Sequence, residues 1–184
     1  EFNAMYRAMP DVNFIRPADR KETMFAYKMA LESKCPTILA LTRQDTKNLN
    51  GFTSSESQMG AYFVVKHRNP EAIIYSCGSE LALAISASKK LTTKGIKTSV
   101  VSVPCVAVFD KKQDVYKEAI LRKDIKLRAT IEASKDDGWY KFAGLDGIVI
   151  GTNSYGFTAK GEEVYEHFKI TAQNLVEQIL NKSK

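Results

Sequence analysis

Ala72-Ile73-Ile74-Tyr75-Ser76-Cys77-Gly78-Ser79-Glu80-Leu81, running on to Gly95 and then Thr98-Ser99-Val100-Val101-Ser102-Val103, is the stretch on which the fold turns. Its first six residues are a short apolar run, as a buried parallel strand requires. Gly78 permits a tight turn, and Ser79 is placed to cap a helix carried by Leu81, Ala84, Ile85, Ala87 and Leu91. Gly95 stands where a left-handed residue closes a helix. Residues 98–103 are the next strand. Strand, helix and strand at this spacing predict a parallel crossover unit.

Downstream, residues 112–122 read as a polar helix, and residues 126–132 and 147–151 as strands. Two helices follow, Gly161 to His167 and Thr171 to Leu180, the second with Leu175, Val176, Ile179 and Leu180 on one face. Upstream, residues 60–65 have strand character and residues 48–57 read as a polar linker. The first fifty residues read as strand, helix, strand. Val12-Asn13-Phe14-Ile15 is broken by Arg16-Pro17, and Asp19 caps a helix with Glu22 completing a capping box. The helix runs through Met24, Phe25, Tyr27, Met29 and Leu31, and Pro36 ends it before the apolar run Thr37-Ile38-Leu39-Ala40-Leu41-Thr42. One such unit is too small for a sheet of its own and calls for neighbouring strands. The expectation is an α/β chain with a mostly parallel, mixed sheet and helices on both faces. Its parts are a remnant of a preceding domain (1–50), a linker with an entry strand (51–69) and the main domain (70–184).

The 184 residues are 44% hydrophobic and 26% charged, which suits a packed core rather than disorder. No apolar run reaches the ~20 residues that span a bilayer. Glu1-Phe2-Asn3-Ala4 lacks the pattern of a signal peptide. The net charge of +6 comes from scattered lysines, with pairs at Lys89-Lys90 and Lys111-Lys112 and a thin Lys182/Lys184 tail. Without a basic-and-aromatic run, neither nucleic acid nor a membrane is expected as a partner. Cys35, Cys77 and Cys105 are odd in number and widely spaced; they read as buried thiols of a reducing, cytoplasmic setting.

Reactive groups are scarce. The two histidines, His67 and His167, read as a surface residue and a helix-end residue. No GxSxG elbow, GxGxxG turn, P-loop or metal-ligand spacing occurs, so no catalytic, cofactor-binding or metal-binding residue is assigned. Two strand-to-helix junctions remain. Gly78 and Ser79 open a helix whose free backbone N–H groups suit either plain capping or an anion. Arg43 follows a buried strand at its carboxyl end, where open α/β sheets take ligands, and fits either a phosphate or a surface ion pair. Trp139, in a polar loop, fits an aromatic anchor or a core residue.

Taken in order, these segments resemble the C-terminal part of transketolase. Arg7-Ala8-Met9-Pro10-Asp11, Phe14-Ile15-Arg16-Pro17-Ala18-Asp19 and Glu22-Thr23 resemble that family's "RAIPN…RPAD…ET". Leu41-Thr42-Arg43-Gln44 matches "LTRQ", which favours transketolase over deoxyxylulose-phosphate synthases and pyruvate-dehydrogenase-type enzymes. Cys77-Gly78-Ser79-Glu80 is similar to "TGSE", and Glu132-Ala133-Ser134 with Gly138-Trp139-Tyr140-Lys141 to "EAGS…GWxK". Tyr155-Gly156 and Phe168-Lys169-Ile170-Thr171 resemble "FG…FGFT". Cys77 in place of threonine, the charged Ser134-Lys135-Asp136-Asp137 loop and Lys160-Gly161 depart from the pattern.

The resemblance implies a parent enzyme of the pentose phosphate pathway. That parent moves a two-carbon ketol unit from a ketose phosphate to an aldose phosphate, through thiamine diphosphate with magnesium or calcium, as a homodimer. It implies that the cofactor-activating residues lie before Glu1, so that neither cofactor nor metal is expected in this chain and the chain alone is expected to be inactive. It also implies that Arg43 grips the phosphate of the sugar. A naturally separate subunit, and a stand-alone anion-binding or regulatory domain at Gly78 and Ser79, are the alternative expectations. The first fifty residues are expected to pack on the main domain, pair with a second copy or be mobile.

Overall fold

The computed structural model describes residues 2–183. Glu1 and Lys184, named above for the leader and the basic tail, lie outside the described residues. The chain opens with α1 (Phe2–Ala8), which the sequence did not announce, and continues through β1 (Asn13–Ile15), α2 (Arg20–Glu32) and β2 (Thr37–Leu39). Strands β1 and β2 pair in parallel, Asn13 with Thr37 and Ile15 with Leu39, and form a two-stranded sheet of their own. The Asp19 carboxylate accepts from the Glu22 backbone N–H at 3.0 Å, so the predicted cap forms. The reciprocal arm falls one residue short of a capping box: Glu22 accepts from the N–H of Ala18, not of Asp19.

The main sheet contains β3 (Tyr62–Val65), β4 (Ala72–Ser76), β5 (Thr98–Ser102), β6 (Leu127–Ile131) and β7 (Ile148–Ile150), in spatial order β3-β5-β4-β6-β7. Only β3 runs antiparallel, on β5. The intervening helices are α3 (Leu81–Thr93), α4 (Val106–Asp110), α5 (Asp114–Leu121) and α6 (Tyr140–Ala143). Helices α7 (Gly161–His167) and α8 (Ala172–Lys182) close the chain, and the Thr171 hydroxyl caps α8 through the N–H of Asn174.

Successive residues of β4 face opposite ways. Ala72 and Ile74 join Val100, Ala129, Ile131 and Ile150 in a core covered by α3 and α8. Ile73 and Tyr75 join Val101, Phe109, Ile120, Trp139 and Phe142 beneath α4, α5 and α6. A sheet buried on both faces explains why β4 and β5 read as unbroken rather than alternating runs. Gly95 takes a φ of +91° just past α3, as its position predicted.

The segment before β3 is not a free linker. Thr53 is buried, its hydroxyl donates to Asp19 at 2.7 Å, and a 3-10 turn covers Ser55–Met59. The first forty residues pack on the main domain, the first of the three outcomes expected. The N–H of Arg16 donates to the Pro104 carbonyl at 2.9 Å, and the N–H of Gly78 donates to the Arg16 carbonyl at 3.1 Å.

Candidate functional site

Strand β4 comes first among the parallel strands and sits between β5 and β6, so the strand order reverses there. Ligands of open α/β sheets enter at such a point, beyond the carboxyl ends of the strands. Gly78 lies just past β4 and Glu132 just past β6. The space between them is occupied by the chain's own arginines. Arg7, from α1, forms a two-pronged pair with Glu132, both bonds at 2.6 Å. Arg16, from the end of β1, bonds Glu80 and reaches Glu132 at 3.1 Å. Trp139 donates its indole N–H to Glu132 at 2.7 Å and lies 5.3 Å beneath the Arg7 guanidinium. The Cys77 thiol donates to Glu132 at 3.1 Å, and Ser79 and Tyr165 donate to Glu80.

Two cations and two carboxylates therefore cancel in a volume shut off from water; Glu80 and Glu132 are fully buried. Burial alone raises the pKa of Glu132. The Arg7 bonds, the charges of Arg7 and Arg16 and the Cys77 bond outweigh it and hold the carboxyl at about 2. Burial, with the Glu132 charge beside it, pushes the Cys77 thiol well up, so it stays protonated and unreactive. Ser79 does not cap α3: it lies inside a 3-10 turn over Gly78–Glu80, and its hydroxyl serves Glu80. Gly78 has a φ of +59°, and a Cβ there would stand 2.8 Å from the Arg16 Cζ.

A second buried cluster joins α2 to the sheet edge. Glu22 accepts from the Tyr62 and Ser102 hydroxyls, each at 2.7 Å, and from the Ala18 N–H at 2.8 Å. Burial raises its pKa against these bonds, and the Asp19 charge adds to the rise.

Arg43 is exposed in the loop that leaves β2 at its carboxyl end. Among the described residues its guanidinium has no hydrogen-bond or ion-pair partner, so the surface ion pair open in the sequence does not form. The neighbouring Gln44 amide packs against Gly161 at the start of α7, where a larger residue would collide with it. Arg43 and the Gly78–Ser79 turn are thus on different features: one is open, the other filled by Arg16. Trp139 belongs to the core, 2% exposed. The Glu80–Glu132–Arg7–Arg16 set escaped the sequence reading. Each of the four falls in a motif quoted above for the resemblance, but nothing local showed that they meet.

Among the described residues no group of three or more His, Cys, Asp or Glu is arranged to hold an ion. The buried carboxylates Glu22, Glu80 and Glu132 are committed to the donors named above. Among the described residues no helix is long and apolar enough to cross a membrane.

The family "Transketolase-like TK C-terminal domain" matches residues 60–171. A probable transketolase of Streptococcus pneumoniae is 40% identical over 183 residues, covering 98% of this chain and 28% of the relative. The transketolase of Bacillus subtilis is also 40% identical, over 96% of this chain and 27% of its own length. The chain therefore spans little more than a quarter of these relatives. The structure of transketolase from Leishmania mexicana superposes with a TM-score of 0.92 at 34% identity, over 98% of this chain and 26% of that one. Pichia stipitis transketolase, solved in complex with sedoheptulose-7-phosphate, gives 0.90 at 36%, over 97% and 26%. A split-gene transketolase, described as an inactive β4 tetramer, shares the fold alone, with a TM-score of 0.78 at 19% identity over 97% of this chain and 60% of that one. With the family model matched over residues 60–171 and the fold superposing over 98% of the chain on a solved transketolase, this chain belongs to the transketolase C-terminal domain family.

Proposed function

We propose that this chain serves as the C-terminal portion of a transketolase, and that Arg43 is its contribution to substrate binding. The complete enzyme would move a two-carbon ketol unit between sugar phosphates. Thiamine diphosphate supplies the carbanion chemistry when bound, together with magnesium or calcium, on parts of the complete enzyme outside this chain. The observation that carries the reading is the exposed Arg43 guanidinium beyond β2, which among the described residues has no hydrogen-bond or ion-pair partner. A permanently charged planar fork suits a phosphate dianion. The Pichia stipitis relative, solved with a sugar phosphate, supports the substrate class. Free Cys35, Cys77 and Cys105 accord with a cytoplasmic location, and a homodimer accords with the parent family.

Arg43→Ala in the complete enzyme is expected to lower kcat/KM for a phosphorylated acceptor about 10- to 100-fold, mostly through KM. An unphosphorylated aldose should be used as before. Equal losses for both acceptors would remove Arg43 from phosphate binding. A second reading, a naturally separate subunit, draws on the split-gene relative and on the charge cluster that ties the first forty residues to the main domain. An intact mass near 20.6 kDa in cells is the result it requires, and a chain several times heavier excludes it.

A further inference from the structure

The loop carrying Arg43 has no helix or strand of its own from Ala40 to Leu49. The Gln44 amide rests against Gly161 in its middle, and both of its ends are tied to one short segment, residues 15–19. At the start, the Ala40 N–H donates to the Ile15 carbonyl at 2.9 Å. At the return, the Leu49 N–H donates to Asp19 Oδ2 at 3.0 Å, and the Thr53 hydroxyl donates to the same oxygen at 2.7 Å. The segment is itself immobilised. The Arg16 backbone bonds Pro104 and Gly78, and its side chain is held by Glu80 and Glu132. Asp19 is 3% exposed and spends its other oxygen on the cap of α2.

We propose that Arg16 and Asp19 are positioning residues for Arg43. Arg16 fixes the segment to the ligand crevice of the main sheet, and Asp19 fixes the return of the loop, so the guanidinium meets a sugar phosphate without a search for its position. The idea rests on the reading of Arg43 as the phosphate contact and goes beyond it. It gives the C-terminal sheet a role: its switch-point crevice seats the chain's own arginine and so orients the binding loop that follows β2. A preorganised loop spares a binding step its ordering cost, and small displacements of a positioned group are expensive.

Three substitutions in the complete enzyme test this. Asp19→Asn keeps one oxygen for the cap and loses the acceptor for Leu49 and Thr53. Thr53→Val deletes one hydroxyl at constant shape, and Thr53→Ser restores it. Kinetics are measured with a phosphorylated aldose and with a short unphosphorylated aldose. Asp19→Asn and Thr53→Val are expected to raise KM for the phosphorylated acceptor about fivefold or more with kcat within about twofold, and Thr53→Ser to reverse the effect. Both constants for the unphosphorylated acceptor should hold. Equal shifts for the two acceptors, or no shift where Arg43→Ala does shift the phosphorylated one, overturns the positioning role alone. If Arg43→Ala leaves that KM unchanged, the phosphate reading falls and this inference with it. Should Asp19→Asn not fold, Thr53→Val and its reversal decide the matter.

Discussion

Glu132 gathers five donor contacts onto one buried carboxylate, from both Arg7 prongs, Arg16, Cys77 and Trp139. Breaking a buried pair from one side leaves the partner's charge stranded. Glu132→Gln is therefore expected to cost about 3–5 kcal/mol in urea unfolding, with Arg7 left uncompensated and Arg16 held by Glu80 alone. The sign of its pH dependence follows from its pKa, which falls from 4.5 to about 2 on folding. A carboxyl depressed in the folded state stabilises fully above its unfolded pKa and loses that contribution as pH drops through the folded one. The gap between the parent protein and Glu132→Gln should be level above pH ~4.5 and shrink toward pH ~2. A gap that widens on acidification would contradict the pairing. At this scale the sequence was only half legible. Glu132 at a strand end was visible, but its partner Arg7 is 125 residues away and sits on a helix that no periodicity revealed. Arg43 was singled out by local features, its strand-end position and the LTRQ resemblance, and among the described residues it has no hydrogen-bond or ion-pair partner.

Among the elements, the central crossover unit was legible because each of its signals acts locally: an apolar run, a glycine turn, a helical stripe and a glycine stop. Helix α2 forms where its cap and the proline after it predicted, but its apolar residues do not mark its buried face. Its apolar Met24, Tyr27 and Leu31 point outward, and its buried residues are Glu22 and Ala26. Periodicity assumes that the buried face is apolar, and here a carboxylate meeting two hydroxyls and an N–H replaces it. The short α4 and α6 are held by packing against β-sheet residues and gave no pattern of their own. The turn at Gly78 offers an element-scale test. Gly78→Ala and Gly95→Ala both force alanine into a left-handed backbone, but only at Gly78 does the new methyl meet Arg16; around Gly95 the space is open. Each should cost about 1–2 kcal/mol for the backbone, and Gly78→Ala a further ~1–3 kcal/mol for overpacking. Equal costs in chemical denaturation would mean that Arg16 yields freely.

For the whole molecule, exposed apolar side chains concentrate on the first 41 residues: Phe2, Met5, Met9, Met24, Tyr27, Leu31 and Leu41. The two-stranded sheet beneath them has unpaired edges among the described residues. Exposed apolar side chains and open strand edges favour association. The chain by itself is expected to self-associate in sedimentation at micromolar concentration, and Met24→Lys with Leu31→Lys to shift it toward monomer with little loss of stability. Unchanged sedimentation would locate any association elsewhere. The Arg7–Glu132 pair carries a consequence in time as well as in space. A ribosome releases Arg7 well before Glu132, so the first unit made waits, unlatched, until β6 is in place. We expect docking to be late in refolding of the complete chain too, and absent from its transition state. Substitutions at Arg7 should speed unfolding and leave the refolding rate nearly unchanged, a signature readable from the two arms of a chevron plot.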